Sequence, residues 1–154
     1  MIESSKLSAG RQQLTITMLT DIAMRILRTP DERQYWFALL GVESRYDNAA
    51  KSPMGAVGIG QLIPKFAADF GKSCGITDVN AGDVGDAYTN AHLSACYFKY
   101  LIDLNKGSIP LALVAYNAGP SSADLKKAKQ GASMSNEPSN YVAKVWLTTR
   151  GEIK

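Results

Sequence analysis

Apolar residues recur at three- and four-residue steps along most of this chain, a spacing that predicts helices rather than strands. Met18, Leu19, Ile22, Ala23, Ile26 and Leu27 mark one amphipathic helix from about Leu14 to Arg28. The segment TPDE predicts a second helix start: Thr29 is a good N-cap, Pro30 suits the first helical position, and Glu32 completes a capping box. That helix carries RQYWFALLGVES and is expected to end near Arg45. KFAADF predicts a short helix from Pro64, stopped by Gly71, and a turn-rich stretch then leads to a long helix beginning near Asp86. In the long helix Tyr88, Ala91, Ala95, Phe98 and Ile102 form one stripe. LALVAYN, SADLKKAKQ and SNYVAKVWLTT predict three more helices, with GASMSNEP as a loop before the last. GAVGIGQL supplies at most a short irregular hairpin. The fold class is all-α.

One acid breaks this pattern. Trp36, Leu39, Leu40 and Glu43 stand at i, i+3, i+4 and i+7, so the glutamate shares a helix face with the bulkiest apolar side chains. Tyr35, Phe37, Ala38 and Val42 make the other side apolar too, which predicts a helix buried on most of its circumference. A partly buried glutamate keeps its proton near neutrality and suits general-acid cleavage of a glycosidic bond. The plainer reading is a glutamate capped by loop amides or paired with Arg45; from phase alone both stand.

Composition narrows the field of functions. The chain has 154 residues, enough for one hydrophobic core and hardly for two. A net charge of +3 suits an acidic polymer but is too weak to argue for nucleic acid, and no basic stripe is interleaved with aromatics. One histidine, His92, and two cysteines allow neither a Cys/His metal cluster nor a Ser-His-Asp triad. Cys74 and Cys96 read as free thiols, with a disulfide between them as the alternative. The N-terminal stretch is interrupted by Arg11, Asp21 and Arg25, so it reads as lacking a signal peptide, and no segment is apolar for a membrane-spanning length.

Two further stretches carry candidate chemistry. Gly55, Gly58 and Gly60 surround Gln61 and permit either a close backbone approach to a ligand or a tight turn between helices. No strand precedes GAVGIG and no Gly-Lys-Ser/Thr follows it, so a nucleotide loop is a poor fit. In ALVAYNAGP, Tyr116 and Asn117 close an apolar helix just before a Gly-Pro turn, a placement that projects both toward a groove.

Taken in order, ESRYDNAAKSPMGAVGIGQLIP, AYNAGP and YVAKV resemble the catalytic domain of the soluble lytic transglycosylases, across about residues 35 to 148. The resemblance implies a lysozyme-like helical domain with a substrate cleft, related to goose-type lysozyme: a core at 29–150 and an N-terminal helical extension at 1–28. It implies Glu43 as the sole catalytic acid/base, Ser44 helping to orient it, and Gln61 lining the cleft. Tyr116 and Asn117 match the Ala-Tyr-Asn-Ala-Gly motif, with Asn117 toward the sugar's N-acetyl group, and Tyr141 is expected beside Glu43. Gly60 stands where the family usually has methionine, which predicts a more open loop there.

The activity implied is cleavage of the β-1,4 bond between N-acetylmuramic acid and N-acetylglucosamine in peptidoglycan glycan strands, leaving a 1,6-anhydro end. No metal or organic cofactor is implied. The rivals are a hydrolytic muramidase, with Asp47 or Asp69 holding a water, and a non-catalytic peptidoglycan-binding component. Action on the bacterial cell wall in the periplasm is expected, with delivery by a phage virion or tail, or by a secretion complex.

Overall fold

Thr15 opens the first helix, its hydroxyl accepting the Met18 N–H at 3.1 Å. The computed structural model describes residues 15–151. Helix α1 (Ile16–Ile26) buries Leu19, Ile22 and Ala23 and ends two residues before the expected Arg28; Leu14 lies outside the described residues. It packs on the long helix further along the chain, with Arg25 donating to the Tyr88 hydroxyl at 2.7 Å and Arg28 to Asp103 at 2.7 Å. Helix α1 therefore belongs to the common core.

Helix α2 (Pro30–Ser44) starts as the sequence predicts, with Pro30 in the first turn and the Thr29 hydroxyl accepting the Glu32 N–H at 3.1 Å. The capping box is only half made. Glu32 reaches one residue further back and accepts the N–H of Arg28 at 2.8 Å, because the chain turns out of α1 at that point and leaves this donor unmet. The helix ends where Arg45 and Tyr46 take left-handed conformations, φ 54° and 61°. Trp36, Leu39 and Leu40 are fully buried.

An irregular loop follows, pinned by two isolated antiparallel bridges, Lys51 to Val57 and Val57 to Leu62. This is the short hairpin expected of GAVGIGQL. Helix α3 (Pro64–Gly71) leads into two 3₁₀ turns, Lys72–Cys74 and Ala81–Gly85. Helix α4 (Ala87–Leu104), capped by Asp86, is the core of the molecule. Its buried positions run beyond the expected stripe to Asn90, Leu93, Ser94, Tyr97 and Leu101, because α1, α2, α3 and the next helix pack around it on different sides. Helix α5 (Ile109–Ala118), α6 (Ala123–Lys129) and α7 (Asn136–Thr149) complete the order.

Helix α7 begins three residues before the expected Ser139. The first-turn N–H groups of a helix need no partner, so Pro138 is accommodated there. Ser135, at its start, gives both its N–H (2.7 Å) and its hydroxyl (2.9 Å) to Asp124 and so ties α7 to α6. No helix among the described residues is long and apolar enough to cross a membrane.

The cysteines are not free thiols. Cys74 and Cys96 form a disulfide, with Cα atoms 6.1 Å apart, that clasps the turn after α3 to the side of α4. The pairing depends on how the turn-rich segment doubles back, which local pattern does not encode. Closing a loop over a separation of 22 residues is worth about 3 kcal/mol. Urea unfolding of Cys74→Ser/Cys96→Ser against the oxidised protein is expected to show that loss.

Candidate active site

The last turn of α2 delivers Glu43 into a wall of buried Trp36, Leu39 and Leu40, the helix phase having left it no other side. Its hydrogen bond is to Tyr141 of α7, whose hydroxyl donates to Oε2 at 3.3 Å. Burial lifts the Glu43 carboxyl to about pKa 8; the Tyr141 bond pulls the other way, and the negative charge of Glu137 adds to the rise. The group is an acid at neutral pH. Among the described residues it has no ion pair, with Arg45 or any other. Burial first, and the nearness of Glu43 second, push the phenols of Tyr116 and Tyr141 well above their ordinary range, so both remain neutral donors.

The glycine loop lies against this cluster, and its backbone is held from four sides. Asn48 accepts the N–H of Ile59 at 3.1 Å, and Asn90 accepts that of Gly60 at 2.8 Å. The Asn90 amide donates to Val57 O at 2.9 Å, Ser44 donates to Ile59 O at 2.8 Å, and Tyr116 donates to Gly60 O at 2.7 Å. The Gln61 amide closes back on the oxygens of Ala50 and Gly58, both at 3.0 Å. Val57 exchanges both bonds with Leu62, and the Gly58 N–H goes to Ala50 O. From 57 to 60 every backbone N–H and C=O therefore has a hydrogen-bond partner inside the protein.

The glycines serve that internal fit. A Cβ on Gly58 would run into the Asn90 side chain, and Gly58 has φ 81° besides; a Cβ on Gly60 would lie 2.6 Å from Ser94 Cβ. The loop backbone rests directly on α4, so the expectation of a more open loop at Gly60 is reversed: the missing side chain lets the chain press closer. Beneath it runs a chain of hydrogen bonds. Trp36 Nε1 donates to Ser94 Oγ at 3.1 Å, Ser94 and Tyr116 share a bond of 2.9 Å, and Tyr116 donates to Gly60 O. Because the Tyr116 proton is committed to Gly60, Ser94 supplies the proton between them.

Of the residues singled out from sequence, Glu43, Tyr116 and Tyr141 come together as one electrostatic cluster. Ser44 is buried and gives its hydroxyl to Leu40 O and Ile59 O, so it binds the loop to α2. Gln61 has φ 50° and holds the loop with its nitrogen. Asn117 stands in the last turn of α5, half buried, and among the described residues its carboxamide has no hydrogen-bond partner. Asp47 caps a turn by accepting the Ala49 N–H at 2.9 Å, and Asp69 is exposed on α3. Asn48, Asn90, Ser94 and Trp36 were not anticipated. Their trace is visible in the sequence: Asn90 and Ser94 are polar, four residues apart, on a helix otherwise apolar at that face.

A helical domain with a protonated glutamate at the end of a buried helix, faced by two tyrosines and an internally braced glycine loop, is a lysozyme-like domain. Structural comparison agrees. The fold matches an inactive mutant of the lytic transglycosylase Slt from Pseudomonas aeruginosa, TM-score 0.72, at 21% identity over 90% of this chain and 24% of that one. It also matches the 70 kDa soluble lytic transglycosylase of Escherichia coli, TM-score 0.71, at 23% identity over 84% of this chain and 23% of that one. Residues 22–138 match the family model described as Transglycosylase SLT domain, and the chain belongs to that family. It is 32% identical over 102 residues to the soluble lytic murein transglycosylase of Salmonella typhimurium and 30% over 89 residues to that of Escherichia coli K12. Those stretches are 65% and 57% of this chain but only 16% and 14% of the relatives.

Proposed function

We propose that this domain is a peptidoglycan lytic transglycosylase, cleaving the β-1,4 bond between N-acetylmuramic acid and N-acetylglucosamine and leaving 1,6-anhydro ends. The observation that carries the reading is the placement of Glu43 among the buried side chains of its helix, bonded by Tyr141, where burial raises its carboxyl pKa and favours the protonated form. Glu43 gives that proton to the glycosidic oxygen as the bond from C1 breaks. The C6 hydroxyl of the muramic sugar then attacks C1, and its proton returns to Glu43, so the enzyme ends as it began. One acid suffices because the substrate brings its own nucleophile, unlike the two-carboxylate scheme of most glycosidases. Tyr141 holds Oε2 in place through both steps, and the unpartnered Asn117 carboxamide is available to the N-acetyl group.

The family match and the murein transglycosylase relatives support the substrate class. The setting we propose is local degradation of the wall by a phage particle or a secretion apparatus. The Cys74–Cys96 disulfide fits a domain at work in the oxidising periplasm.

The pH profile tests the role of Glu43. Proton donation requires the protonated carboxyl, so kcat/KM on peptidoglycan is expected to hold through neutrality and fall as pH rises through about 8. A fall centred near 4.5, where an ordinary glutamate titrates, would remove Glu43 from the role.

A further inference from the structure

Ser94 is fully buried in the middle of α4, flanked on that helix by Ala91 and Ala95, which are fully buried too. An alanine there would need no partner, whereas a buried hydroxyl is unfavourable unless it is bonded. This one is bonded on both sides, and the direction of each bond is fixed. The indole Nε1 of Trp36 can only donate, so Ser94 Oγ accepts from it at 3.1 Å. The Tyr116 hydroxyl gives its one proton to Gly60 O at 2.7 Å, so Ser94 gives its own to Tyr116 at 2.9 Å. A hydroxyl hydrogen rotates to suit its neighbours. Here a donor on one side and a carbonyl on the other leave the Tyr116 proton one position.

Where that phenol points bears on the candidate active site. Tyr116 comes from α5 and holds Gly60 O, while Ser44, from the last turn of α2, holds Ile59 O at 2.8 Å. Two successive carbonyls of the loop are thus tied to two different helices, and the second tie is made by the residue next to Glu43. Ser94 joins both helices from a third. It bonds Trp36 of α2 and Tyr116 of α5, and it fills the space that a side chain on Gly60 would need. One hydroxyl therefore links α2, α4 and α5 beneath the loop that carries Gln61. The Glu43 charge also reaches the Tyr116 phenol, which places the two groups within electrostatic range.

We propose that Ser94 is a positioning residue for glycan cleavage: it holds Tyr116 in the one orientation that clamps the loop at Gly60 beside the end of α2 that carries Glu43. The inference rests on the reading of Glu43 as the acid that cleaves a glycan. Ser94 is sealed from substrate and acts through Tyr116. It lies outside the three motifs that carry the family resemblance. Displacing a positioned group after the substrate has bound lowers kcat more than it changes KM.

The test measures Ser94→Ala in three backgrounds, by thermal melting and by kcat and KM on peptidoglycan glycan strands. In the wild type the substitution strands the Trp36 N–H, so the melting temperature is expected to fall. It is also expected to lower kcat about tenfold, with KM within about twofold. In Trp36→Phe no donor is stranded, so most of the melting penalty should vanish while the loss of about tenfold in kcat remains. In Tyr116→Phe the melting penalty should remain and the kcat loss vanish. The stability effect thus follows Trp36 and the rate effect follows Tyr116. Each background is read separately, so one that fails to fold leaves the other to decide. A kcat loss that vanishes with the melting penalty in Trp36→Phe, or that persists in Tyr116→Phe, would make Ser94 a packing residue and overturn the proposal. So would an unchanged kcat in the wild-type background. A wild type that cleaves no peptidoglycan would overturn the reading of the Glu43 site, and this proposal with it.

Discussion

Replacing Glu43 by glutamine is expected to reduce peptidoglycan cleavage by about 10²- to 10⁴-fold and, at the same time, to make the protein more stable. The activity loss follows from removing the single general acid, a contribution of about 10² to 10⁴ where other catalytic groups remain in place. The stability gain follows from linkage. In the unfolded chain Glu43 loses its proton near pH 4.5, whereas in the folded protein it keeps it to about pH 8. Below pH 4.5 the carboxyl is protonated in both states and costs nothing. As pH rises, folding must either re-protonate the group or bury its charge, and the cost grows until it levels off above about pH 8. Glutamine carries no charge at any of these values. The variant should therefore melt with the wild type at pH 4 and become about 3 kcal/mol more stable by pH 7. Melting curves at pH 4, 7 and 8.5 check both sign and slope. A variant less stable at every pH would mean that the carboxyl is held by favourable contacts, contrary to the burial described here.

The second large effect is expected at Gly60. Gly60→Ala sets a Cβ 2.6 Å from Ser94 Cβ, with backbone on one side and the central helix on the other, so neither partner yields cheaply. Overpacking of this kind costs about 1–3 kcal/mol. It should also break the Tyr116-to-Gly60 bond and the Asn90 clamp together, because both measure the same loop-to-helix distance. Activity is expected to fall about 10²-fold, since small displacements of positioned groups are costly in rate. Ser94→Gly combined with Gly60→Ala should recover part of the stability, and a double-mutant cycle by denaturant unfolding reads that coupling. Additive losses would show that the loop is not pressed on α4 at that point.

Much of this architecture is legible from the chain. Thr29–Pro30 and Asp86 announce their helices, because a cap is a local device that works through residues one turn away. Glu43 is legible for the same reason: helix phase alone puts it among Trp36, Leu39 and Leu40. The purpose of the glycines is not. Gly58 and Gly60 are shaped by Asn90 and Ser94, some thirty residues away, and the fit appears only when α4 is laid under the loop. Read locally, those glycines suggest a surface open to a ligand. In three dimensions the loop backbone is bonded by Asn48, Asn90, Ser44 and Tyr116. The disulfide stays an open alternative in the sequence on the same account, since Cys74 and Cys96 meet through a turn whose path no periodicity records.

The most direct measurement is a digest of purified peptidoglycan, with the muropeptide ends read by mass spectrometry and Glu43→Gln as the control. The account expects 1,6-anhydro-muramyl ends from the wild type and none from the variant. Reducing ends, heavier by one water, would contradict it and would make the enzyme a hydrolytic muramidase.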